Sequence, residues 1–135
     1  MNGTCEGMMV EGAIHAGGCL CGACRFEAQG APLDAAYCHC RMCQRSSGGP
    51  VQTWALFPEA RFRYVAGRPA VYRSSDWGVR EFCPVCGSQL AFRDADGVSL
   101  NTGCLDDPEA MPPRKHIWCE SRIRWFDTAD DLPRE

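Results

Sequence analysis

The chain has no run of basic residues. Its fourteen Lys and Arg are outnumbered by seventeen Asp and Glu and are mixed with them along the sequence, so a sequence-independent grip on nucleic-acid phosphates is not expected. Long apolar stretches are also lacking: the longest are a few residues, far short of the roughly 20 that a membrane-spanning helix needs. No Lys or Arg precedes Arg25 and no apolar segment follows Met1, which argues against an export signal and for a cytoplasmic protein. Repeats, low-complexity tracts and linkers are absent too. The 135 residues therefore read as one domain, of a size that buries about 65–70% of its unfolded surface.

What the chain does have is cysteine, eleven in all. The count is odd, and most of them fall in C-x-C and C-x-x-C clusters that bridge poorly within themselves. In a reducing compartment such clusters are metal ligands rather than a disulfide scaffold. Fourteen glycines and nine prolines predict short elements joined by many turns.

Residues 1–16 carry few signals and read as a loose N-terminal arm. From Gly17 onward the signals are dense, and residues 17–133 form the expected domain. Ala23 to Gln29 alternates, with Cys24, Phe26 and Ala28 on one side, as a half-buried strand does. Ala35–Cys38 is a short strand running into a Cys-His-Cys turn. Arg41–Ser47 makes one or two helical turns before Gly48, Gly49 and Pro50 stop them. Val51–Phe57, Phe62–Val65, Val71–Arg73, Val79–Phe82, Gln89–Phe92, Val98–Thr102 and His116–Glu120 complete the strands. Asp94-Ala95-Asp96-Gly97 carries a hairpin-turn signal. The fold class is mainly β, with small antiparallel sheets.

Cys83-Pro84-Val85-Cys86-Gly87 is the most specific local signal. Two cysteines three apart on a tight turn place both sulfurs on one tetrahedral Zn²⁺, and the glycine that follows takes the backbone angles of that turn. Cys19-Leu20-Cys21-Gly22 offers the other two thiolates. The 61 residues between Cys21 and Cys83 exceed a zinc-ribbon gap, so this pairing is an inference about the fold. Cys38, Cys40 and Cys43 lie within six residues and can reach one further metal, with Cys43 favoured as a thiolate by the start of the helix. Three ligands leave a fourth position for water or substrate. Cys24, Cys104, Cys119, His39 and His116 are each chemically able to close it, and spacing leaves both possibilities open, although Cys24 reads better as a core thiol. Seven thiolates and two Zn²⁺ would take the formal charge from −3 to about −6. A Zn²⁺ with three thiolates is a soft, weak Lewis acid, better suited to thiols and thiol adducts than to hydrolysis.

These residues resemble the zinc-binding domain family of glutathione-dependent formaldehyde-activating enzyme and centromere protein V. The resemblance rests on Gly17-Gly18-Cys19-Leu20-Cys21-Gly22 through Phe26 and on Tyr37-Cys38-His39-Cys40-Arg41-Met42-Cys43-Gln44-Arg45 through Gly48. It continues in Phe82-Cys83-Pro84-Val85-Cys86-Gly87-Ser88, Gly103 to Pro108, His116-Ile117-Trp118, Arg122 and Trp125. It implies a tent-like arrangement of small sheets around zinc, two Zn²⁺ per chain, Cys19, Cys21, Cys83 and Cys86 as structural ligands, and Cys38, Cys40 and Cys43 as ligands of a second zinc with an open position. The implied activity is that of a carbon–sulfur lyase acting on S-hydroxymethylglutathione, the adduct of glutathione and formaldehyde. Within it, His39 could relay a proton, Arg41 and Arg45 could hold a glutathione carboxylate, His116 could support the site, and Trp54, Trp118 and Trp125 could line a pocket. The competing expectation is a non-catalytic zinc module that binds a thiol metabolite or a protein. A nucleic-acid module is least favoured, because basic residues are not clustered with aromatics.

Strands this short make marginal sheets, and structural zinc at about 10–16 kcal/mol per site is comparable with a whole domain's stability. Chelation of zinc from the reduced protein is therefore expected to leave it unfolded or molten. Near-ultraviolet circular dichroism and a thermal scan check this; a cooperative transition surviving in the metal-free protein would show that the core suffices.

Overall fold

Alternating apolar residues set the strands, and glycine and proline set their ends. The computed structural model describes residues 12–135. Its strands are β1 (Ile14–Gly18), β2 (Arg25–Gln29), β3 (Asp34–Cys38), β4 (Gln52–Phe57), β5 (Phe62–Ala66), β6 (Ala70–Ser75), β7 (Gly78–Phe82), β8 (Gln89–Asp94), β9 (Gly97–Asn101) and β10 (Lys115–Ile117), with one α-helix, α1 (Arg41–Ser47), after β3. Three strands form one sheet in the order β1-β2-β5, and seven form the other in the order β10-β3-β4-β9-β8-β7-β6. The protein is mainly β, as its sequence predicts. Every ladder is antiparallel except β10 on β3, which is parallel. No helix among the described residues is long and apolar enough to cross a membrane.

Two expectations need correction. The arm predicted over residues 1–16 is not loose throughout, because Ile14, His15 and Ala16 pair with Gln29, Ala28 and Glu27; residues 1–11 lie outside the described residues. The strand predicted over His116–Glu120 ends at Ile117. Trp118 takes φ 58°, ψ 41°, a left-handed conformation that cannot continue a ladder, and Cys119–Ser121 turns as a short 3₁₀ helix.

The period of two divides the seven-stranded sheet into two faces. On β4, Ala55 and Phe57 join a core with Phe26 and Ala28 of β2, Phe62 of β5, Leu90 of β8 and Val98 and Leu100 of β9. Trp54 and Leu56, the intervening residues, face a cavity on the opposite side, as does Ser99 between Val98 and Leu100. The main core thus lies between the sheets, and the far face of the larger sheet is left to build a site.

Asp94–Gly97 closes the β8–β9 hairpin. Gly97 has φ 137°, and a Cβ there would stand 2.4 Å from the Phe57 carbonyl oxygen. Since backbone cannot yield as a side-chain tip can, Gly97→Ala is expected to cost more than about 2 kcal/mol, read from denaturant unfolding. A loss below about 0.5 kcal/mol would place the hairpin's constraint elsewhere.

Candidate metal centre

Two groups of sulfurs form. Cys19, Cys21, Cys83 and Cys86 have their sulfur atoms within 4.8 Å of one another, and so do Cys38, Cys40 and Cys43. All ten cysteines of the described residues are free. Sulfurs placed about 2.3 Å from a tetrahedral Zn²⁺ would be about 3.8 Å apart. Cys19 and Cys21 are 3.6 Å apart, Cys21 and Cys83 3.8 Å, and Cys38 and Cys43 3.5 Å. The donor sets therefore fit a soft divalent ion such as zinc.

The first group joins two turns of the same design. Gly22 and Gly87 follow their cysteine pairs at φ 84° and 81°, angles that a residue with a side chain adopts at a cost. Backbone N–H groups point at the sulfurs: Cys24 N–H donates to Cys19 Sγ, while Val85 and Cys86 N–H donate to Cys83 Sγ. The Cys24 contact holds the Cys19 thiol below its ordinary value. The Ser88 hydroxyl, then its backbone, draws Cys86 down to about 5. Leu20 N–H also donates to Ser88 Oγ, tying one turn to the other. Cys24, fully buried in the core, is pushed up to about 11 by burial and stays a thiol.

The second group is assembled by β3 and α1. Cys38 ends β3, and Cys40 caps the helix, its sulfur accepting from Cys43 N–H at 3.2 Å. The helix start therefore favours the thiolate at Cys40, rather than at Cys43. Cys38, Cys40 and Cys43 share protons: contact with Cys40, then Cys43, pushes Cys38 far up, and contact with Cys38, then Cys43, pulls Cys40 down to about 2. Sulfurs this close all ionise only when a cation stands among them. Trp54 Nε1–H and Arg80 point at Cys43 Sγ, at 3.4 and 3.7 Å. Arg80 is 6% exposed. Its guanidinium also reaches Ser46 Oγ and lies over the Phe92 ring, and it takes part in none of the ion pairs of the described residues. The Arg80 charge helps to hold the Cys40 thiol down, whereas the Cys43 thiol stands above its ordinary value, because the contact with Cys38 that would lower it is outweighed by contact with Cys40 and burial.

None of the five possible fourth ligands joins this group among the described residues. His39 faces away. It is 1% exposed, and its Nε2 lies 2.9 Å from Nδ1 of the equally buried His116. His116 Nε2 in turn meets Asp130 and Thr128. With the His116 proton on Nε2 toward Asp130, His39 donates to His116 and leaves its own Nδ1 a bare acceptor, which agrees with that atom having no partner. Burial first, then His116, lowers the His39 pKa. The proton-relay role expected of His39 does not match this placement; it packs behind the Cys38–Cys40 turn. Gln44 completes the support, donating from Nε2 to the His39 and Ser121 carbonyls.

Instead of a fourth ligand, a cavity of about 560 Å³ opens over the three cysteines, and its wall includes Arg41, Trp54, Trp77, Arg80, Phe92 and Trp118. Arg45 and Trp125 are exposed and are not on that wall. Arg80, Trp77 and Phe92 carried no sequence signal: Arg80 and Glu81 are adjacent and both buried, and no alternation marks either.

The model of the glutathione-dependent formaldehyde-activating enzyme family matches residues 14–121. The chain belongs to this family. A Halomonas elongata protein provisionally described as a glutathione-dependent formaldehyde-activating enzyme is similar, at 27% identity over 132 residues, covering 89% of this chain and 81% of that protein. A crystal structure of a Rhodobacter sphaeroides protein, 21% identical, covers 89% of this chain and 99% of that one at a TM-score of 0.60, and shows the fold. The matched span of this formaldehyde-activating family member begins with β1 and includes all seven clustered cysteines.

Because Arg80 supports Cys43 from outside the donor set, Arg80→Met is expected to weaken zinc retention at the three-cysteine group about 10–100-fold while the four-cysteine group keeps its metal. Competition with a chromophoric chelator on reduced protein measures both. Equal retention by the variant and the parent would remove Arg80 from the site.

Proposed function

We propose that this protein is a carbon–sulfur lyase of the formaldehyde-activating type, which reversibly joins glutathione or a similar small thiol to formaldehyde. A sulfur–carbon bond forms, the carbonyl π pair moves onto oxygen, and that oxygen gains the proton the thiol loses; the reverse releases both reactants. The observation that carries this reading is the three-sulfur group at the floor of a cavity with no fourth protein ligand among the described residues.

In this reading Cys38, Cys40 and Cys43 hold one zinc, and Cys19, Cys21, Cys83 and Cys86 hold a structural one. Zinc at the three-cysteine position supplies mild Lewis acidity and a soft coordination position. The chain does the rest. Trp54 and Arg80 fix the Cys43 sulfur, and Arg80 offsets the negative charge of three thiolates. Trp54, Phe92 and Ile117 pack against the cysteines and keep water from the reacting atoms. Arg41, on the wall, is placed to meet a carboxylate of the peptide thiol. Holding thiol and carbonyl together in one cavity accounts for rate through proximity.

The decisive experiment is zinc stoichiometry on reduced protein with and without glutathione, joined to an assay of thiol–formaldehyde condensation. Two zincs per chain are expected, one perturbed by glutathione. Cys43→Ser should fold, retain one zinc and lose condensation. Cys83→Ser, altering a fully buried core sulfur, should fail to fold. Two tightly held zincs indifferent to thiols, with no condensation, would leave a non-catalytic zinc module.

A further inference from the structure

Resting on the thiol–aldehyde reading above, we propose that the preferred aldehyde carries an aromatic ring, so that the adduct is an aryl hemithioacetal and not only a hydroxymethyl thioether. The reacting carbon must sit beside the cysteine sulfurs, and Trp54, Phe92 and Ile117 pack against those cysteines. Whatever the carbon carries besides sulfur and oxygen therefore lies among apolar side chains. Formaldehyde carries only hydrogen there.

The remaining wall is built for something larger. Trp77 meets Phe92 edge to face, with centroids 5.5 Å apart and planes at 75°, yet stays 56% exposed. Trp118 is 51% exposed and is the one non-glycine residue at positive φ among the described residues. A bulky residue keeps such a backbone only where its surroundings impose it. Here the β10 ladder precedes it, Cys119 N–H is held by the Glu135 carbonyl, and Ser121 N–H by that of Trp118. The result is a ring fixed on the wall rather than folded into the core.

Charged groups of the wall are largely engaged within the chain. Asp34 pairs with Lys115 at 2.9 Å, Arg80 faces Cys43, and Asp94 accepts from Asp96 N–H. With Arg41 of the wall assigned to the thiol's carboxylate, recognition of the aldehyde's own substituent falls to aromatic surface, which favours a ring stacked or edge-on at about 4.5–7 Å. Chemistry is unchanged: the thiol sulfur bonds to the aryl carbonyl carbon, the π pair goes to oxygen, and oxygen gains the proton the thiol loses, with no oxidant or reductant needed.

S-benzylglutathione and S-methylglutathione, two unreactive thioethers that differ by the ring, separate the possibilities when titrated calorimetrically into zinc-loaded, reduced protein. The benzyl compound is expected to bind about tenfold tighter or more. The gap should shrink to within about threefold in Trp77→Ala and in Trp118→Gly, the latter keeping a residue at ease with positive φ. Affinities within about twofold of each other, or a gap unchanged in both variants, would overturn the aromatic preference while leaving the thiol–aldehyde reading intact. Failure of both compounds to bind would overturn the two together.

Discussion

Cys19 and Cys21 meet Cys83 and Cys86 across a long stretch of sequence, and much of the architecture depends on that meeting. The first pair sits between β1 and β2 of the three-stranded sheet, the second just past β7 of the seven-stranded one. Holding four sulfurs within 4.8 Å joins the sheets at one end, where Cys19, Cys24 and Cys83 become part of the core itself. Thiols so crowded resist full ionisation, so four thiolates together would need a shared cation, which the spacing of the sulfurs fits. The backbone N–H groups aimed at Cys19 and Cys83, and Ser88 beside Cys86, are arranged to serve thiolates.

With the two sheets joined, the far face of the larger sheet is free for chemistry. Strand alternation sends Ala55 and Phe57 inward and Trp54 outward, and the parallel addition of β10 beside β3 brings Ile117 and Trp118 next to Cys38. The second cysteine group is held from three directions. The helix start orients Cys40 and Cys43, Trp54 and Arg80 hold the Cys43 sulfur, and the buried His39 and His116, with Asp130 beyond them, back the turn. That network extends to residues 133–135, because Pro133 and Glu135 pair with the His116 backbone. The C-terminal residues thus brace a turn almost a hundred positions earlier.

The two cysteine groups differ in the way their surroundings require. One is completed by four sulfurs and set against the core. The other has three sulfurs, a buried guanidinium and an open aromatic cavity, features that place charge and space where a soft ligand would enter.

Much of this was legible in the sequence, for local reasons. The helix over Arg41–Ser47 appears with the predicted bounds because glycine and proline stop it. Strand positions, the Asp94–Gly97 hairpin and the buried face of Cys24, Phe26 and Ala28 follow from alternation and turn chemistry. The cysteine spacings marked the three-sulfur group and each half of the four-sulfur one, while the joining of Cys19 and Cys21 to Cys83 and Cys86 was an inference about the fold. What spacing could not carry is distance across the fold. The extension of β1 back to Ile14, the left-handed turn at Trp118, the orientation of His39 away from the sulfurs, and the arrival of Arg80, Trp77 and Phe92 at the cavity all depend on which strands become neighbours. Local residue types therefore determined the elements and the metal-ligand chemistry of the cysteine clusters, while sheet order decided which side chains share the site, because pairing between distant strands is set by packing and not by neighbours in the chain.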